Sequence, residues 1–134
     1  MIDHHSALIY TMVLVSAADN DMTDAELATI GEVVKYLPIF RDFNLDQLPR
    51  IAGECAAILD DEDGLDKALD AIKQALPEKL RETAYAVACD VVAADEAASQ
   101  EELRLLEMIG HRLNIGRLPG AAIERGARAR HQVL

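Results

Sequence analysis

The sequence predicts an all-α fold: a single compact domain of about seven helices with an internal pseudo-two-fold repeat of helical hairpins. Three observations predict it. Alanine and leucine far outnumber valine and isoleucine, and aromatic residues make up only 4% of the chain, so helix formers dominate strand formers. Apolar residues recur at helical spacing in one segment after another. A block near the N-terminus also recurs in the second half, so two similar hairpins share one core. At 134 residues the chain fits one domain, 1–134, and its 51% hydrophobic content suffices to close a core at that size.

Each element has its own justification. From Asp3 to about Ala18, the set Leu8, Ile9, Met12 and Val15 follows helical spacing, and Val13 and Leu14 widen the stripe until it nearly encircles the helix. That pattern predicts a central, buried helix. A second helix runs from Thr23 through Leu27, Ile30, Val33 and Val34 to Leu37, where Pro38 stops it. After a short turn over 39–43, a third starts between Asn44 and Pro49 and carries Ile51, Cys55, Ile58 and Leu59. The acidic run Asp60-Asp61-Glu62-Asp63-Gly64, read as a solvated loop, breaks it. A fourth covers Leu65 to Leu76. Pro77 opens the fifth, expected to be the longest, with Leu80, Ala84, Val87, Ala88, Val91 and Val92 again apolar almost all round. A sixth spans Ser99 to Leu113, and a basic seventh covers about 119–133, with Gly116 and Gly120 flanking the connection before it. All four prolines follow a leucine and mark boundaries, since proline is tolerated in a first helical turn or just beyond an end.

Charge narrows the function. A net charge of −11 disfavours any nucleic-acid partner, whose binding would need phosphates neutralised, and favours cations or basic proteins. The end of the chain departs from this balance: Arg112, Arg117, Arg125, Arg128 and Arg130 face Glu124 alone, a basic segment expected to dock through Arg125, Arg128 and Arg130, at least partly, on the acidic body or on an acidic partner. The apolar stretch 7–18 imitates a secretory signal, yet no Lys or Arg precedes it, and it is too short to span a bilayer. A cytoplasmic protein that is not transmembrane is therefore expected. Cys55 and Cys89 lie in apolar helical patterns without metal or redox spacing and read as core thiols. His4, His5, His111 and His131 show no ligand spacing, and His4-His5 reads as an exposed terminus.

The repeat carries the candidate site. Ala17-Ala18-Asp19 recurs 76 residues on as Ala93-Ala94-Asp95, Thr23 as Ser99, Glu26-Leu27 as Glu102-Leu103, and Ile30 and Val33 as Leu106 and Ile109, giving repeat halves of about 7–37 and 80–113. In each copy an Asp ends the first helix and a Glu follows in the first turn of the next. A carboxylate at a helix C-terminus faces the negative end of the dipole, a cost of about 0.3–1 kcal/mol that a nearby cation reverses. Asp21 adds a third carboxylate to the first turn. Together Asp19, Asp21, Glu26, Asp95 and Glu102 form an all-oxygen set suited to a divalent cation such as calcium, magnesium or manganese. A plainer reading stands beside this one: Thr23 to Glu26 and Ser99 to Glu102 both fit the capping box, which accounts for each Glu without a metal. Asp90, inside the apolar fifth helix, either supports the acidic site from behind or bonds a neighbouring hydroxyl or Arg.

The doubled acidic hairpin, Ala18-Asp19 to Glu26 and Ala94-Asp95 to Glu102, with the run Leu80-Arg81-Glu82-Thr83-Ala84-Tyr85 entering the second copy, resembles the TerB-like tellurite-resistance family over nearly the whole chain. The resemblance implies an all-helical domain whose two acidic motifs form a metal-associated site. The family usually has Gly after the Asp, where this chain has Asn20 and Glu96. Asn tolerates a left-handed backbone and Glu does so poorly, so the second loop is expected to differ in geometry. No nucleophile with its base, phosphate loop or dinucleotide fingerprint is present, which argues against an enzyme. The expectation is a non-catalytic cation-binding domain linked to metal stress. Its alternative is a metal-independent helical protein–protein interaction module. Tellurite is itself an anion, so capture by this acidic surface is unattractive and any part in resistance is expected to be indirect.

Overall fold

In the computed structural model, residues 1–17, 22–95 and 98–134 are described, and among them all regular structure is helical. The chain begins with α1 (His4–Ser16), which starts because Asp3 accepts a hydrogen bond from the Ser6 amide at 2.8 Å. Every residue from Ser6 to Ser16 is buried, so α1 is the axis of the core. It packs most extensively on α5 (Arg81–Ala94) and next on α4 (Gly64–Ala75) and α3 (Leu48–Leu59). The buried Thr11 hydroxyl is satisfied inside the helix by the Ala7 carbonyl at 2.8 Å.

The remaining elements wrap this axis. α2 (Asp24–Tyr36) turns only Ile30 and Val34 fully inward. A 3₁₀ turn at Pro38–Phe40 and another at Leu45–Gln47 lead into α3, which buries Leu48, Ile51, Ala52 and Cys55. The acidic loop 60–63 is exposed, as expected. α4 begins at Gly64, where a Cβ would collide with the Ile58 carbonyl oxygen and lie 2.7 Å from Leu59 Cα, so only glycine lets the chain reverse this tightly. After a 3₁₀ turn at Glu78–Leu80, α5 buries Ala84, Val87, Ala88 and Val91 among others. α6 (Gln100–Arg112) ends in a Schellman motif: Asn114 adopts φ 57°, its N–H reaches the His111 carbonyl at 3.1 Å and the Ile115 N–H reaches Gly110 at 2.9 Å. α7 (Arg117–Arg130) closes the domain.

Three expectations need correction. The seventh helix starts at Arg117, not Pro119, so Gly120 lies inside it; Pro119 is accommodated in its first turn, where its missing N–H costs nothing. The fifth helix starts at Arg81, because Pro77 opens the 3₁₀ turn before it, and it is not the longest alone, since it and α7 each have 14 residues. His5 is no frayed terminus: with α1 starting at His4, its Nε2 lies 2.7 Å from the Ile39 carbonyl, and its ring stacks on Phe40 at 5.3 Å with Phe43 against its edge. Cys55 and Cys89 are buried free thiols. Both are pushed up to about 12 by burial, which keeps them protonated and unreactive. Among the described residues, no helix is long and apolar enough to cross a membrane.

Candidate metal centre

The two helical hairpins present their acidic turns through the same local chemistry. Thr23 caps α2 by accepting from the Glu26 amide at 3.1 Å, while Glu26 Oε1 accepts from the Thr23 amide at 2.9 Å. Ser99 and Glu102 repeat this arrangement at the start of α6, with the same 3.1 Å and 2.9 Å distances. Both glutamates are therefore capping residues. The capping bond is made through Oε1, and an ionised carboxylate offers about four acceptor positions, so capping does not by itself bar a cation.

With α1 packed on α5, the ends of these two helices and the starts of α2 and α6 border one cavity. A cavity of about 330 Å³ is lined by Ser16, Thr23 and Glu26 from the first hairpin and by Ala94, Asp95 and Glu102 from the second. Glu102 is buried at 6% exposure, whereas Asp95, the C-cap of α5, is exposed. Three of the five carboxylates named from the sequence thus border one cavity. Asp19 and Asp21 lie outside the described residues. Among the described residues, no three His, Cys, Asp or Glu side chains gather into a group able to hold a metal on their own.

Asp90 takes the second of its two expected roles. It points to the C-terminal helix, pairing with Arg130 at 2.6 Å and lying 3.5 Å from His131 Nε2. Of the three arginines expected to dock α7, Arg130 makes this ion pair, while Arg125 and Arg128 are exposed.

Sequence reading missed two features. Ser16 is among the residues bordering the acidic cavity, and its buried hydroxyl has no hydrogen-bond partner among the described residues. The available signal was a break in the repeat, since Val92 occupies the equivalent position of the second hairpin. The other is a larger cavity of about 470 Å³ between α5, α6 and α7, where Tyr85 donates to Glu124 Oε2 at 2.6 Å above the thiol of Cys89. Burial, and then that carboxylate, push the Tyr85 hydroxyl well above its ordinary range, so it remains a donor. Nothing in the local spacing couples residues 39 apart.

The sequence of this all-helical domain has a counterpart among known families. The family model for tellurite resistance protein TerB matches residues 5–123. The chain belongs to the TerB family. The match includes both acidic turns of this TerB-family domain and ends within α7. Searches of curated proteins and of solved structures find no match.

Proposed function

We propose that this TerB-family chain is a non-catalytic, cytoplasmic divalent-cation-binding domain of the tellurite-resistance and metal-stress type, holding calcium, magnesium or manganese with Asp19, Asp21, Glu26, Asp95 and Glu102. The observation that carries the reading is the single cavity bordered by Glu26, Asp95 and Glu102, carboxylates contributed by both hairpins. Like charges about 4 Å apart repel by about 1 kcal/mol in water and by more near a protein surface, and a divalent ion bound among carboxylates offsets such repulsion. The donor set is all oxygen, which suits hard cations.

A melting series tests it. Metal-free protein titrated with calcium, magnesium, manganese and zinc is expected to gain about 2.7 kcal/mol at a hundredfold excess of the preferred ion over its Kd. Asp95→Asn is expected to blunt that gain. Indifference of the wild type to every divalent ion at millimolar concentration would leave capping as the whole role of Glu26 and Glu102. The metal-independent interaction module would then be the better reading, supported by the 470 Å³ cavity and the exposed Leu103 at its border.

A further inference from the structure

Ser16, the last residue of α1, is 7% exposed and lines the cavity shared by Glu26, Asp95 and Glu102. Its Oγ has no hydrogen-bond partner among the described residues. A helical serine normally has an acceptor within reach, the carbonyl four residues back. Thr11, on the same helix, uses that route to Ala7; Ser16 makes no such bond. A buried hydroxyl without a partner is unfavourable, so its presence calls for a reason.

Packing does not supply that reason. The repeat places Val92 at the corresponding position of α5, and Val92 is buried to much the same degree, at 5% exposure. An apolar side chain therefore serves the equivalent place in the core, and the hydroxyl distinguishes the first hairpin from the second.

The geometry points to Ser16 Oγ as a neutral oxygen ligand of the divalent cation, outside the carboxylate motif; the inference rests on the cation-binding reading above. Calcium takes 6–8 oxygen ligands and magnesium six, while each added carboxylate increases the repulsion among its neighbours. A hydroxyl raises the coordination number without adding charge. It is also a hard donor, so it biases the site towards calcium, magnesium or manganese and against thiophilic ions such as cadmium. The carboxylates gather the charge, and Ser16 contributes to the choice of ion.

Calorimetric titration of the full chain with Ca²⁺, Mn²⁺ and Cd²⁺, in wild type, Ser16→Ala and Ser16→Cys, tests the assignment. Ser16→Ala is expected to lose about tenfold or more in Ca²⁺ affinity. Its metal-free melting temperature should be unchanged or higher, because an unpaired buried hydroxyl has been removed. Ser16→Cys puts a soft sulfur at the same place and is expected to raise the ratio of Cd²⁺ to Ca²⁺ affinity by about tenfold or more over wild type. Cys55 and Cys89 are common to all three proteins and cancel from that ratio. A wild type that binds no divalent ion overturns the cation-binding reading and this assignment together. A wild type that binds while Ser16→Ala binds equally well overturns the assignment of Ser16 alone, as does a Ser16→Cys variant with no gain in cadmium preference.

Discussion

Two residues at the starts of helices show how differently a local rule can act. Asp3 starts α1 by accepting the Ser6 amide, and that backbone hydrogen bond holds its carboxyl below the ordinary value of 3.8. A carboxylate whose pKa is depressed in the folded state adds stability above its unfolded value, and the contribution disappears as pH falls through the folded value. Asp3→Ala is therefore expected to cost about 1 kcal/mol at pH 7 and progressively less below about pH 4, read from urea midpoints across pH. Asp3→Asn keeps a capping oxygen and should behave like wild type at pH 7. Gly64 is governed by space instead of bonding, since a Cβ there meets the backbone of Ile58 and Leu59, which cannot swing aside as a side chain can. Gly64→Ala should cost about 2 kcal/mol or more, and an unchanged midpoint would show that the 59–64 turn can open without penalty.

At the scale of elements, the capping boxes connect helix formation to the candidate site. Glu26→Gln separates the two roles of that side chain, because glutamine preserves the capping bond to the Thr23 amide but removes the carboxylate charge. The metal-free variant is expected to melt within about 0.5 kcal/mol of wild type while its divalent-cation response weakens. A response of wild-type size would confine Glu26 to capping. Legibility in the sequence follows the same division. Helical period, capping box and proline position are local signals, and they located α1 to α6 to within a few residues, along with the capping boxes that start α2 and α6. The start of α7 was displaced because Pro119 was read as a first residue, although the first turn offers proline more than one position. His5 was misread because its environment comes from Ile39 and Phe40, which the chain reaches only after closing a hairpin. Around the cavity, Glu26, Asp95 and Glu102 were legible through doubling, whereas Ser16 is defined by a burial and a missing partner that only packing establishes.

For the whole molecule, the question is what fastens the basic C-terminal segment to the acidic body, and magnitudes decide it. Charge alone suggests the arginines, yet Arg130 and Asp90 form the ion pair with the arginine side chain 56% exposed, and such pairs are worth about 0–1 kcal/mol. The Tyr85 hydroxyl donating to Glu124 is a bond from a buried phenol to a charged acceptor, worth about 1.5–3 kcal/mol. Ala127, 2% exposed, adds apolar burial on α5. The tail should therefore be held mainly by a tyrosine–glutamate bond and packing, with its excess positive charge secondary. Tyr85→Phe is expected to lower stability by about 2 kcal/mol, and Arg130→Ala by under about 1 kcal/mol. Raising salt from 0.05 to 1 M should erase the second loss and leave most of the first, because screening acts on exposed charges. The pH profile adds an independent check. The tyrosine's pKa is raised in the folded state, so its contribution is complete below about pH 10, the unfolded value, and falls as pH climbs beyond it. Wild type should lose stability relative to Tyr85→Phe above that pH and keep a constant advantage between pH 6 and 9. An advantage of Arg130 over Ala that survives 1 M salt, together with a harmless Tyr85→Phe, would reverse the assignment and make the charged end the anchor of α7.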